Sequence, residues 1–196
     1  MSVGPNSATR GSLIMTLFVI GTVAVALASC SAGTPSGSAP STPKAPSSST
    51  VSSTPASPAD QAEQAALAAY RGMWQDFSAA GQTSDWQSPS LGQFATGSAL
   101  SVLSRGLYTD HANGWVTKGS PILHPTVQSA EPLGSPTTVV ISDCGDSTKY
   151  LKYYVSSGQP VNDGPGGRQL IKATLQKQSD GSWKVSDFGI QGVGSC

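Results

Sequence analysis

Leu13 to Ala28 is a run of 16 residues in which only Thr16, Gly21 and Thr22 interrupt the apolar side chains. It falls short of the ~20 apolar residues that a permanent helix needs to cross a ~30 Å hydrocarbon core. One basic residue, Arg10, stands before it, and the small residues Ala28 and Ser29 close it. A basic start, a short apolar centre and a small-residue cleavage point make a signal peptide. On that reading residues 1–29 are removed on export and contribute nothing to a folded core. A retained membrane anchor is the alternative, and the length of the run argues against it.

The run ends in Leu27-Ala28-Ser29-Cys30. Leucine, two small residues and then cysteine resemble the lipobox of bacterial lipoproteins. The resemblance implies a diacylglyceryl group on the Cys30 sulfur, cleavage between Ser29 and Cys30, and palmitate-type acyl chains holding the protein to the membrane. The protein would then sit on the extracytoplasmic face of the cell membrane. An ordinary secretory signal with a chance cysteine is the other reading.

Residues 30–58 read as a tether. Ser31 to Pro58 spans 28 residues with 10 Ser, 6 Pro, 4 Thr and 4 Ala, and Val51 is its one sizeable apolar side chain. Such a segment buries too little apolar surface to offset its conformational entropy, so disorder is expected. As a coil it would reach roughly 30 Å, more where proline stiffens it.

What is left for a fold is residues 59–196. Here 9 Lys/Arg stand against 11 Asp/Glu, a net charge of −2, with the charges scattered. No basic stripe exists to follow a phosphate backbone, which excludes nucleic acid as an expected partner. Beyond Cys30 the chain has two further cysteines, Cys144 and Cys196. In an oxidising compartment an even pair is expected to form a disulfide. Two free buried thiols are the alternative.

Ser57-Pro58-Ala59-Asp60 has the signs of a helix start: a capping serine, proline at the first helical position and an acid in the first turn. Ala62, Ala66, Tyr70, Met73, Trp74 and Phe77 then recur at threes and fours, predicting one apolar face as far as a stop at Gly81. Thr83 to Ser90 reads as a loop. Leu91 to Phe94 is predicted as a turn of helix, and a second helix follows from Thr96 with Leu100, Leu103 and Leu107 on one side. Asp110 to Gly114 reads as a solvated turn.

From Trp115 the period changes to two. Strands are expected at Trp115 to Lys118, Ile122 to Glu131, Thr137 to Asp143, Lys149 to Val155, Arg168 to Gln178 and Ser182 to Phe188. Ser179-Asp180-Gly181 between the last two is a hairpin signal, because Asp-Gly tolerates positive φ. Helices followed by consecutive antiparallel strands predict an α+β fold, with helices on one face of a curved sheet.

The long first helix with its aromatic tail, the short second helical region and the Asp180-Gly181-Ser182-Trp183-Lys184-Val185 ending resemble the nuclear transport factor 2-like cone, or cystatin-like roll. More narrowly the chain is similar to small lipoproteins of high-GC Gram-positive bacteria. The resemblance covers Asp60 to Cys196 and implies a pocket between helices and concave sheet. Some cone members resemble ketosteroid isomerase or dehydratases, with an Asp or His at the pocket floor. Others bind or assemble.

The titratable candidates for such a role are His111, His124, Asp76, Asp143 and Asp146. Neither histidine has a partner at a diagnostic spacing, and Asp143 and Asp146 read as turn caps beside Cys144. Two histidines without a cysteine or carboxylate pattern make no zinc signature. Gly164-Pro165-Gly166-Gly167-Arg168 lacks the lysine-hydroxyl ending of a phosphate loop, and no Gly-x-Ser-x-Gly elbow is present. No catalytic, cofactor or metal residue is therefore nominated. The favoured function is a lipid-anchored domain that holds a small apolar ligand or docks an envelope protein. A small isomerase- or dehydratase-type enzyme is the alternative, and a structural envelope spacer a third.

Overall fold

Ser57 accepts a hydrogen bond from the Asp60 amide at 3.2 Å, and Asp60 accepts from the Ser57 amide at 3.1 Å. This reciprocal box starts helix α1, Pro58–Gly81, at the predicted residue. The computed structural model describes residues 55–196. The expected signal peptide, Cys30 and most of the expected tether lie outside the described residues. Two more helices follow, α2 (Leu91–Phe94) and α3 (Gly97–Ala112). Between α1 and α2 the buried Ser84 adopts φ 52° and donates its hydroxyl to the Trp115 carbonyl, tying the loop to the start of the first strand.

Six strands come next: β1 (Trp115–Lys118), β2 (Thr126–Glu131), β3 (Thr138–Asp146), β4 (Leu151–Tyr154), β5 (Arg168–Lys177) and β6 (Trp183–Ile190). The expected α+β class holds, with helices packed on antiparallel strands. The run of strands is less simple than a meander. β2-β3-β5-β6 form one sheet, and β4 leaves it to pair with β1 as a separate ribbon. The predicted hairpin joins β5 and β6, and Gly181 at its tip has φ +86°.

Two expectations are corrected. Asp110 was expected in a solvated turn, but α3 continues to Ala112 and buries it, where it meets Lys152 Nζ at 2.7 Å. Helix geometry won because Leu103, Leu107 and Asp110 fall on one face at spacings of four and three, and Lys152 satisfies the acid there. Strand β3 was expected to end at Asp143 but runs on to Asp146, paired with β5 throughout.

The core lies between α1, α3 and the inner face of the larger sheet. Tyr70, Met73 and Trp74 from α1 and Leu103 from α3 meet Val139, Ile141, Ile171, Leu175 and Val185, all buried. Strict alternation on β3 sends Val139, Ile141, Asp143 and Gly145 inward. A parallel bridge between Ala95 and Val185, with the Thr96 amide 2.9 Å from the Val185 carbonyl, ties the helical half to strand β6.

The last residues are docked more firmly than their glycine content implies. Strand β6 reaches Ile190, the Gln191 amide donates to the Leu170 carbonyl at 2.9 Å, and the Gly194 amide to the Arg168 carbonyl at 2.8 Å. Cys144, on the outward face of β3, and Cys196 come to disulfide distance, with Cα atoms 5.9 Å apart.

Candidate functional site

The aromatic tail of α1 is not wholly consumed by the core. Trp74 is buried, whereas Phe77 is half-buried and leaves one side of its ring free. Facing it across a gap is α3 at Gly106, where an added Cβ would first meet Phe77 Cζ at 3.9 Å. A cavity of about 260 Å³ opens there, between the two helices and the sheet. Trp74, Phe77, Tyr150 and Phe188 form its aromatic walls, with Leu103 and Ile171 beside them. Trp74 stacks edge-on against both Phe77 and Phe188, with ring centroids 6.0 and 5.9 Å away. Gly145 contributes bare backbone: a Cβ there would meet Ile171 Cδ1 at 2.8 Å. Val102 and Ile190 stand at the mouth, 40% and 46% exposed.

The polar side chains on this lining are Ser147, Tyr150 and Gln169. Ser147 Oγ accepts from the Gly167 amide at 3.1 Å, which holds the loop before β5 against the cavity. The Tyr150 hydroxyl lies 3.5 Å from Thr117 Oγ1, and burial pushes its pKa above the ordinary tyrosine value.

The titratable candidates named from the sequence lie elsewhere. Asp143 is 1% exposed, and its two carboxylate oxygens accept from the Tyr70 hydroxyl at 2.9 Å and the His124 amide at 2.6 Å. The turn-capping role expected for it is thus corrected: it points into the core from mid-strand and joins α1 and the segment before β2 to β3. Burial first, and the Asp143 charge second, hold the Tyr70 hydroxyl well above its usual pKa. Asp146 does cap a turn, accepting from the Thr148 amide at 2.8 Å, and hydrogen bonds from the Thr148 side chain and then its amide lower the Asp146 pKa. His111 and the His124 side chain are exposed, one in the last turn of α3 and the other before β2. Asp76 is half-buried on α1, and desolvation raises its carboxyl above the usual range.

Sequence reasoning named Trp74 and Phe77 but not Ser147, Tyr150, Gln169, Ile171 or Phe188. Inward alternation on β5 was the available signal for Ile171. Nothing local marks Tyr150, which precedes a strand of the other sheet.

No protein-family model and no curated protein matches this sequence. Among solved structures the chain is similar to the intermembrane space region of the chloroplast protein ARC6, at 12% identity over 65% of this chain and 95% of that one, TM-score 0.47. It is also similar to a ketosteroid isomerase-like protein from Erwinia carotovora atroseptica, at 9% identity over 66% and 94%, TM-score 0.41. Both likenesses concern chain path alone. Among the described residues no helix is long and apolar enough to cross a membrane, and no cluster of three His, Cys, Asp or Glu side chains could hold a metal.

Proposed function

We propose that this protein is a membrane-anchored extracytoplasmic lipoprotein whose folded domain, a nuclear transport factor 2-like cone, binds a small apolar ligand between helices and sheet. The observation that carries the binding role is the aromatic cavity, whose lining has three uncharged polar side chains beside its apolar walls. Concave, mostly apolar sites with a few convergent polar groups are where small molecules bind. An isomerase-type site with an Asp or His at the pocket floor would place that side chain on the wall of this cavity, and its lining carries neither. Asp143 instead has both oxygens engaged inside the core. The lipid anchor rests on Leu27-Ala28-Ser29-Cys30 and the apolar run before it.

The decisive experiment is native mass spectrometry of the domain purified from its own host without detergent. A retained apolar molecule that is lost from a Gly106→Leu variant is the expected result. A ligand-free domain with an open cavity would favour a docking or spacer role. A retained molecule that the domain converts would favour the isomerase-type alternative.

A further inference from the structure

A second cavity, of about 450 Å³, shares Tyr150 with the first. Ser147, Tyr150, Gln169 and Ile190 line both spaces, so the two adjoin along these four residues. The character of the wall changes there. The first space is aromatic and aliphatic; the second is faced by Thr117, Lys152, Asp163 and the turn at residues 164–166. Building on the ligand-binding role proposed above, we infer that the two spaces form one elongated site for a single-chain amphiphile with an uncharged, hydroxyl-bearing head.

The tail assignment follows from the lining of the first cavity. The head assignment follows from the charges in the second. Lys152 Nζ lies 2.7 Å from Asp110 Oδ1 and 3.9 Å from Asp163 Oδ2. One cation therefore faces two carboxylates, and the group as a whole is negative by one charge. An anionic head would enter beside Asp163 with the lysine already engaged, and like charges in a partly desolvated space repel. A cationic head would have to compete with the Lys152 ammonium for the same two carboxylates. A hydroxyl needs no such exchange: it donates to Asp163 and accepts from an ammonium proton of Lys152. Thr117 Oγ1 and the Tyr150 hydroxyl offer further polar atoms on the same wall.

The C-terminal tail completes this half of the site. Val193 lines the second cavity, and the turn at Gly194 is fixed by the hydrogen bond its amide donates to the Arg168 carbonyl and by the Cys144–Cys196 link.

The test uses residues 55–196, which carry every element from α1 to β6 and the whole core. Three probes of one chain length, monolauroylglycerol, laurate and lauroylcholine, are titrated below their micellar concentrations and followed by calorimetry. Monolauroylglycerol should bind about tenfold or more tighter than either charged probe, as one partly screened charge implies. Gly106→Leu should abolish binding of all three without lowering the melting temperature, because its Cβ meets nothing nearer than Phe77 Cζ at 3.9 Å, the rest of the side chain enters the cavity, and the helix gains from losing glycine. Asp163→Asn removes the negative charge beside the head and should narrow the lead of monolauroylglycerol over laurate. Equal affinity for the three probes, or a charged probe binding tightest, overturns the head assignment and leaves the apolar cavity standing. No binding by any probe, in the parent and Gly106→Leu alike, overturns the cavity reading with it.

Discussion

Tyr70 and Asp143 form a buried polar contact that links α1 to the sheet. The hydroxyl lies 2.9 Å from Asp143 Oδ2, and both side chains are shut off from water. A tyrosine with a raised folded pKa binds its proton more tightly folded than unfolded. Its contribution is complete below the unfolded pKa near 10 and is lost as pH rises beyond it. Stability should therefore hold through neutral pH and fall above about pH 10. Tyr70→Phe should cost about 1–3 kcal/mol at neutral pH, because Asp143 loses a partner where water cannot replace it. The same variant should flatten the alkaline decline, with Tyr150 keeping part of it through its own burial. Denaturant unfolding followed from neutral to strongly alkaline pH checks both. An alkaline slope unchanged in Tyr70→Phe would show that other groups cause it.

At the level of elements, α1 does two jobs along one face. Its middle turns lay Ala66, Tyr70 and Met73 on the sheet, and Trp74 and Phe77 beyond them face α3 and the cavity. Phe77 also packs against a smaller cluster of Ala80, Leu91 and Leu107, which joins α1 to α2 and α3. Trp74→Ala should cost about 3–5 kcal/mol, the usual loss for emptying a large buried aromatic site. Phe77 is only half-buried, so Phe77→Ala should cost about 1–2 kcal/mol, less than full burial of a phenylalanine contributes. Chemical unfolding of the two variants compares them. Equal losses would mean that the cavity is closed around Phe77 in solution. Gly81 is the last residue of the helix, and the ribbon packed beside it requires glycine there, since a Cβ would run into Thr117 Oγ1.

For the molecule as a whole, the disulfide closes a chain segment with a sequence separation of 52. Chain entropy assigns about 4 kcal/mol to a loop of that length. Reduction should lower the melting temperature by roughly 10 °C for a domain of this size. The fold should survive below that point, because Gln191, Gly194 and Ser195 keep hydrogen bonds to β5. Melting with and without reductant, with thiols counted, measures this. An unchanged melting temperature after full reduction would show that those bonds alone hold the tail. The lipid anchor has its own test: Cys30→Ser should leave the protein unlipidated and uncut by the lipoprotein peptidase. Processed, diacylated Cys30→Ser protein would refute the lipobox reading. Two or three acyl chains at ~0.8 kcal/mol per buried CH₂ would otherwise hold it firmly to the membrane.

The pattern of residues along the chain was enough for everything that depends on neighbours. Ser57 and Asp60 mark the start of α1 because a capping box is completed within four residues. Asp180-Gly181 marks the last hairpin because positive φ is a property of the turn itself. Period-two runs located the strands, and cysteine parity pointed to the pair that the structure brings together. Partners across the fold could not be read this way. Asp143 looked like a turn residue because the groups that satisfy it, Tyr70 and the His124 amide, are 73 and 19 residues away. Asp110 looked solvated because Lys152 arrives from a strand that had first to leave the main sheet for β1. The cavity is a gap left where Gly106, Phe77 and Gly145 fail to fill the space between three elements. A gap has no sequence signal of its own, since it is defined by the distance between elements rather than by any one of them.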